Sequence, residues 1–366
     1  MSFKDFHGNS ESVERLRGMI ARDHFPHALI LSGAAGSGKF TLAQMLAKTM
    51  NCLSPPEGAL PDFCGRCANC LRISESDDLD TRFAEAVEAR EGLRETDKRE
   101  TRILIQTHPD VLVIPPDPPQ MLIKVDQVRH VIANIYYRPA EGRRRIYIFT
   151  EGAFMKEAAN SLLKILEEPP EFASIFLLAQ NPGALLPTIR SRCINVHLSP
   201  LPITEVERQL EEFQPGWKTR ERQLVARLSE GALGRARAFD LPGYTAARQD
   251  ALTLLSTAIR GEDHSSLFRI TETYRAGAEG KTKTDRLLRT LYLLLEDLLL
   301  LKSNAGDLVR NSDIAGEMGH MAGEISFEWI ARAARSLGEV ESGARRNLLR
   351  SLSLDAAVTG LERSAS

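Results

Sequence analysis

Gly33-Ala34-Ala35-Gly36-Ser37-Gly38-Lys39-Phe40 is the stretch on which the reading of this 366-residue chain turns. The apolar run Leu29-Ile30-Leu31 leads into it. Thr41–Met50 follows, with Leu42, Met45, Leu46 and Thr49 spaced as one face of a helix. Strand, glycine loop and helix in that order let backbone N–H groups close around phosphate oxygens while a lysine neutralises their charge. The pattern G-x-x-x-x-G-K-[ST] then calls for a hydroxyl, and Phe40 stands in its place. That hydroxyl would hold magnesium, and a phenyl ring cannot ligate a hard cation. Gly33, Gly36, Ser37, Gly38 and Lys39 therefore predict a nucleotide-shaped pocket with a defective magnesium seat.

A second defect points the same way. Ile146-Tyr147-Ile148-Phe149 reads as a buried strand, after which magnesium-dependent hydrolysis needs an acidic pair. Here the pair is Thr150-Glu151: the metal-side carboxylate is missing and Glu151 remains. The alternative is a one-residue slip in register, with Thr41 supplying the hydroxyl. ATP or ADP binding stays open, since lysine and backbone amides can suffice for it.

Four of the five cysteines cluster as Cys52, Cys64, Cys67 and Cys70. Two successive two-residue gaps aim three thiolates at one centre, and Cys52 completes a tetrahedron. Four sulfur ligands leave no open position, so zinc bound there would be structural. Unpaired or redox thiols and an iron–sulfur cluster are the competing readings. Cys193 stands apart and reads as a buried thiol.

Bulk composition narrows the rest. Hydrophobic residues make up 43% and the 47 basic and 49 acidic side chains nearly cancel. No global basic field draws in nucleic acid. The polar start and the charged, interrupted leucine run Leu291–Leu301 predict a soluble, cytoplasmic chain with no membrane partner.

Strand-like runs at 110–114, 146–149 and 174–178 alternate with helical faces at 124–135 and 158–166, which predicts an α/β fold with a parallel sheet covered on both faces. Residues 75–100 carry ten acidic against five basic side chains and predict an exposed helical excursion or a mobile loop. Strand signals fade after Pro200. Residues 203–240 predict short helices, and 243–366 a helical region with leucine stripes at 252–255, 287–301 and 348–354, interrupted by a polar loop at Gly277–Thr284. By spacing alone, Arg192 is a solvated surface arginine, and Arg235 and Arg143–Arg145 read the same way with phosphate contact as their alternative. His27 and His108 read as structural.

Several stretches together resemble the clamp-loader subunits of bacterial DNA polymerase III, delta-prime and gamma/tau, which are AAA+ proteins. They are His27–Gly33 with the glycine loop, the four cysteines, His108-Pro109-Asp110-Val111, Ile123–Arg129, Ala158–Pro170 and Ser191-Arg192-Cys193. The likeness is most specific over residues 1–240, and Leu295–Lys302 resembles the delta-prime C-terminal region.

The resemblance implies three parts: an AAA+ P-loop core at 1–199, with its zinc module (52–70) and charged insertion (75–100), a small helical lid at 200–242, and an all-α collar at 243–366. The collar would build a hetero-pentameric ring with gamma/tau and delta that loads a sliding clamp on primed DNA. It also implies that Arg192 is an arginine finger for a neighbour's ATP and that Arg235 is the lid's sensor arginine. The Gln180-Asn181 region departs from the family's usual threonine-containing pattern. The missing hydroxyl and missing aspartate, and the lack of a long basic proline-rich tail, suit a delta-prime-type subunit. Such a chain would not be an ATPase by itself, and no polymerase active site is implied in it. A hydrolysing gamma/tau-like subunit is the alternative.

Overall fold

The computed structural model describes residues 2–261, 264–274, 277–345 and 349–362. They fall into two compact units, Met1–Pro202 with Ala232–Arg235, and Ile203–Gly231 with Ala236–Ser366.

The first unit runs α1 (Ser10–Ala21), β1 (Ala28–Ser32), α2 (Lys39–Asn51), α3 (Ala68–Ser74), α4 (Leu79–Glu91), α5 (Glu95–Glu100), β2 (Ile105–His108), β3 (Val111–Ile114), α6 (Val125–Asn134), β4 (Arg145–Phe149), α7 (Lys156–Glu167), β5 (Ala173–Ala179), α8 (Pro187–Arg190) and β6 (Ile194–His197). The strands form one six-stranded sheet in the order β2-β3-β4-β5-β1-β6. From β3 to β6 every pairing is parallel. The outermost, β2, is antiparallel to β3, an edge strand that the sequence pattern does not place. The turn at Pro109 is too short for a crossover helix, so the chain doubles back as a hairpin.

The inner strands β1, β3, β4 and β5 feed two cores because successive side chains point to opposite faces. Leu29 and Leu31 of β1, Ile146 and Ile148 of β4, and Phe176 and Leu178 of β5 pack with Leu42, Met45 and Leu46 of α2. Ala28, Ile30, Tyr147, Phe149, Ile175 and Leu177 pack on the other face with α6 and α7, through Val128, Val131, Leu162 and Ile165. Burial on both faces is why these strands read as continuous apolar runs.

The charged excursion is helical. Its α4 carries Arg90, only 8% exposed, whose guanidinium meets Asp117 at 2.8 Å, while Asp117 also accepts from the Ile103 N–H at 3.1 Å. The excursion is thereby tied to the segment that follows β3.

The second unit has no strand among its described residues. It comprises α9 (Ile203–Phe213), α10 (Thr219–Leu228), α12 (Leu241–Arg260), α13 (Ser265–Glu272), α14 (Gly277–Lys302), α15 (Ala315–Glu324), α16 (Phe327–Arg345) and α17 (Arg350–Glu362). The short α11 (Leu233–Arg237) begins among residues of the first unit. The core gathers Leu254, Leu291, Leu294, Leu298, Trp329 and Leu354. The stripe at 348–354 contributes Leu354, and Leu348 lies outside the described residues. The polar loop expected at Gly277–Thr284 is instead the opening of α14. The buried leucines from Leu287 onward hold that helix, and its polar start continues it. Asp297 of α14 is fully buried and accepts from the N–H groups of Arg310 and Asn311, both at 2.9 Å, and from Asn311 Nδ2 at 2.8 Å.

Candidate nucleotide site, thiolate cluster and exposed arginine

The candidate site lies at the carboxyl edge of the sheet, where open parallel sheets bind ligands. Ser32 of β1 pairs with Ala179 of β5, and Phe149 of β4 pairs with Leu177. Gly33, Thr150-Glu151 and Gln180 therefore leave three neighbouring strands on the same side.

The glycine loop needs its glycines. Gly33, Gly36 and Gly38 have φ of 147°, 78° and 88°, conformations that side chains resist. At Gly36 a Cβ would also lie 2.5 Å from the backbone nitrogen of Arg235. The Gly234 N–H donates to the Gly36 carbonyl at 2.8 Å, so the Gly234-Arg235 backbone lies directly on the loop. Gly38 caps α2, which starts at Lys39. Lys39 Nζ donates to the carbonyls of Gly33 and Ala34, both at 2.7 Å. Burial lowers the lysine's pKa, and the nearby Glu151 carboxylate opposes that shift. Gln180 Nε2 donates to Glu151 at 3.3 Å. Ser37 Oγ is buried with no hydrogen-bond partner among the described residues. An unpaired hydroxyl and a crowded ammonium fit an anion of the phosphate type. Phe40 directs its ring against the α2-side core, where it offers no oxygen.

The four cysteines converge. Their sulfurs all lie within 4.8 Å of one another, no disulfide joins them, and Cys52 and Cys67 are 4.0 Å apart. Zinc–sulfur bonds of about 2.3 Å put tetrahedral sulfurs about 3.8 Å apart, so the donor set fits a metal ion. Cys52 is the residue on which α2 ends, Cys67 caps α3, and Gly65, at φ 68°, makes the tight turn between Cys64 and Cys67. Cys52 Sγ accepts from the Cys64 N–H and Cys64 Sγ from the Cys67 N–H, both at 3.3 Å. Burial acts to raise the Cys67 thiol, but hydrogen bonds from the Cys70 and Leu53 backbone outweigh it and bring the thiol to about 6. Burial pushes Cys52 and Cys70 upward. A cation would reverse that by drawing off the protons.

Asn51, beside Cys52, ties this module to the sheet. Its Oδ1 accepts from the N–H groups of Arg143 at 2.9 Å and Arg144 at 3.0 Å, and its Nδ2 donates to the Arg144 carbonyl at 3.0 Å. The triple arginine is engaged with the protein itself, Arg144 with Asp23 at 3.2 Å and Arg145 with the Asn134 carbonyl at 2.9 Å. His108 is buried and its Nδ1 accepts from the Asp110 N–H at 3.1 Å.

Arg192 lies elsewhere, between α8 and β6. Its guanidinium donates to the Thr188 carbonyl at 2.9 Å and to Glu167 at 2.6 Å. The next residue, Cys193, packs against the α6/α7-side core, and burial pushes its thiol up to about 12. The structure thus groups Gly33, Gly36, Ser37, Gly38, Lys39, Thr41, Glu151 and Arg235 around one loop and sets Arg192 apart. The sequence reading missed Glu167 as the partner of Arg192 and Gln180 as the partner of Glu151. Both pairs join residues far apart along the chain, so no local pattern announces them.

Five parallel strands with a glycine loop after β1, which lies between β5 and β6, an antiparallel edge strand and an inserted four-cysteine module define an AAA+-type P-loop protein followed by a helical region. The family model described as "DNA polymerase III, delta subunit" matches residues 8–202, over half of the chain, and the chain belongs to that family of clamp-loader subunits. The DNA polymerase III subunit tau of Escherichia coli K12 is 30% identical over 267 residues, covering 72% of this chain and 34% of that protein. The delta-prime subunit of Pseudomonas aeruginosa is 31% identical over 182 residues, 50% of this chain and 45% of that one. The delta-prime subunit of E. coli K12 is 27% identical over 322 residues, covering 86% and 80%. The chain spans about a third of the length of the E. coli and Salmonella tau subunits it matches. No helix among the described residues is long and apolar enough to cross a membrane.

Proposed function

We propose that this chain is a delta-prime-type clamp-loader subunit that does not hydrolyse ATP itself and presents Arg192 to a neighbouring subunit's ATP. The observation carrying this reading is the pairing of two absences at one sheet edge. Phe40 turns its ring to the core where a magnesium-holding hydroxyl would sit, and Thr150 follows β4 where an aspartate would sit. Meanwhile Arg192 is half-exposed on a separate surface. A guanidinium supplied to a neighbour's phosphates accelerates hydrolysis by roughly 10³–10⁵.

In this reading residues 1–199 are the AAA+ core, 200–242 the lid and 243–366 the collar. The partners are gamma/tau and delta in a hetero-pentameric ring that loads a sliding clamp on primed DNA. Cys52, Cys64, Cys67 and Cys70 hold a structural Zn2+, which braces the end of α2 and supplies no chemistry to the reaction. Lys39, Ser37 and the loop amides bind ATP or ADP without turnover, with Arg235 beside them as the sensor arginine. Glu151 is what remains of the acidic pair.

The test is the ATP turnover of the reconstituted ring with clamp and primed DNA. Arg192→Ala abolishes the stimulated turnover while the isolated variant keeps its wild-type melting curve. Unchanged turnover refutes the finger assignment. The second reading, a hydrolysing gamma/tau-like subunit, draws on the 30% identity to a tau subunit. Magnesium-dependent turnover by the isolated chain that vanishes in Lys39→Ala would establish it instead.

A further inference from the structure

Glu167 and Glu168 close α7 just before Pro169-Pro170. A carboxylate is locally misplaced at a helix C-terminus, where the unpaired carbonyls already carry negative partial charge. A local preference broken without local compensation points to a tertiary reason. Here the compensation comes from a residue that follows β5 in the chain and packs on the same side of the sheet as α7. Arg192 Nη2 meets Glu167 Oε1 at 2.6 Å, and Arg192 Nη1 is held by the Thr188 carbonyl at 2.9 Å. Both anchors are themselves fixed. The prolines end α7 at Glu167, and α8 is closed by the N–H groups of Ser191 and Arg192, which donate to the carbonyls of Pro187 and Ile189. Cys193, packed against the core, pins the backbone behind the arginine.

We propose that Glu167 is a positioning residue for Arg192, holding its guanidinium in the orientation from which the remaining N–H donors reach a phosphate of the adjacent subunit. The proposal rests on the reading of Arg192 as a residue that acts in trans. An unheld arginine on a surface spreads over many rotamers and must be ordered when the phosphate arrives. A guanidinium already bonded through one edge loses less, because its planar fork is set before contact. Stability has little stake in the pair, since Arg192 and Glu167 are 34% and 51% exposed and such exposed ion pairs contribute little to folding. Activity is where the pair would be felt.

The experiment uses the assembled ring with clamp and primed DNA and compares five versions of this subunit: wild type, Arg192→Ala, Glu167→Ala, Glu167→Gln and the double variant Glu167→Ala/Arg192→Ala. Glu167→Ala is expected to lower maximal ATP turnover about tenfold, the loss from releasing one long side chain into its rotamers. The ATP concentration at half-maximal rate stays unchanged. Glu167→Gln, which keeps an acceptor oxygen at the same place, restores most of the rate. Adding Glu167→Ala to Arg192→Ala costs nothing more, because the residue it positions is gone. Wild-type or faster turnover in Glu167→Ala, beside a dead Arg192→Ala ring, overturns the positioning role alone. Unchanged turnover in Arg192→Ala overturns the in-trans reading beneath it.

Discussion

Asp110 offers the sharpest test of how the first unit holds its site-bearing strands. Its carboxylate is 3% exposed and accepts the N–H groups of Ala140 at 2.7 Å, Glu141 at 2.8 Å and Gly142 at 2.7 Å. These bonds close the segment that leads into β4, the strand that delivers Thr150 and Glu151 to the sheet edge. A hydrogen bond to a charged group contributes about 1.5–3 kcal/mol, so three bonds bound the effect from above at roughly 5–9 kcal/mol. Ala140 and Glu141 are exposed and their N–H groups can turn to water in the variant, which reduces the expected loss for Asp110→Ala to about 3–4 kcal/mol.

Hydrogen exchange read by mass spectrometry separates the two units. Opening energies of peptides from 140–149 should fall by that amount, while peptides from 315–340 in the second unit stay unchanged. The pH dependence gives the sign. Burial acts to raise the Asp110 pKa, but the three donors outweigh it and hold it below the ordinary carboxylate value. The charged form's stabilisation is therefore complete above about pH 4 and is lost as pH falls through the lower folded-state value. The stability gap between wild type and Asp110→Asn should be constant from neutral pH down to about pH 5 and narrow below about pH 4. An Asp110→Ala protein whose 140–149 peptides open within about 1 kcal/mol of wild type would refute the reasoning.

Other expectations follow from the same contacts. Gly36→Ala places a Cβ 2.5 Å from the Arg235 nitrogen at φ 78° and should cost about 2–4 kcal/mol, seen as a lower urea midpoint of the first unit. An unchanged midpoint would mean that Gly234-Arg235 does not rest on the loop. Asp297→Ala strips the acceptor from three donors in a fully buried position and should cost about 3–5 kcal/mol. Trp329 fluorescence during thermal unfolding reads that loss, because the ring lies in the same helical core. Purified protein should carry close to one zinc per chain, and Cys64→Ser should lose most of it. Elemental analysis showing no metal in the wild type would remove the thiolate site.

Much of the first unit was legible because its signals are local. Leu29–Leu31 before the glycine loop, the 3.6-residue spacing of α2 and the two-residue gaps among the cysteines each report one element, and the fold joins those elements without moving them. The clamp-loader likeness also rested on contiguous stretches. The antiparallel β2 was missed because its direction is set by the Pro109 turn and by pairing with β3. The opening of α14 was read as a loop because its composition is polar, while its helicity comes from leucines a few turns further on. Arg143–Arg145 looked like an exposed basic run because two of the acceptors that engage it, Asn51 and Asp23, lie far away in sequence, and the third is the Asn134 carbonyl at the end of α6.

Chain order alone determined the glycine loop, the want of a hydroxyl at Phe40 and of an acid at Thr150, and the cysteine spacing. Those are properties of identity and short-range geometry, written one residue after another. Only the tertiary structure decided that four sulfurs meet within 4.8 Å of one another, that Gly234-Arg235 lies on the glycine loop, and that Glu167 grips Arg192. Each of these contacts closes a loop in the chain, and the packing of two cores against one sheet supplies the free energy to close it.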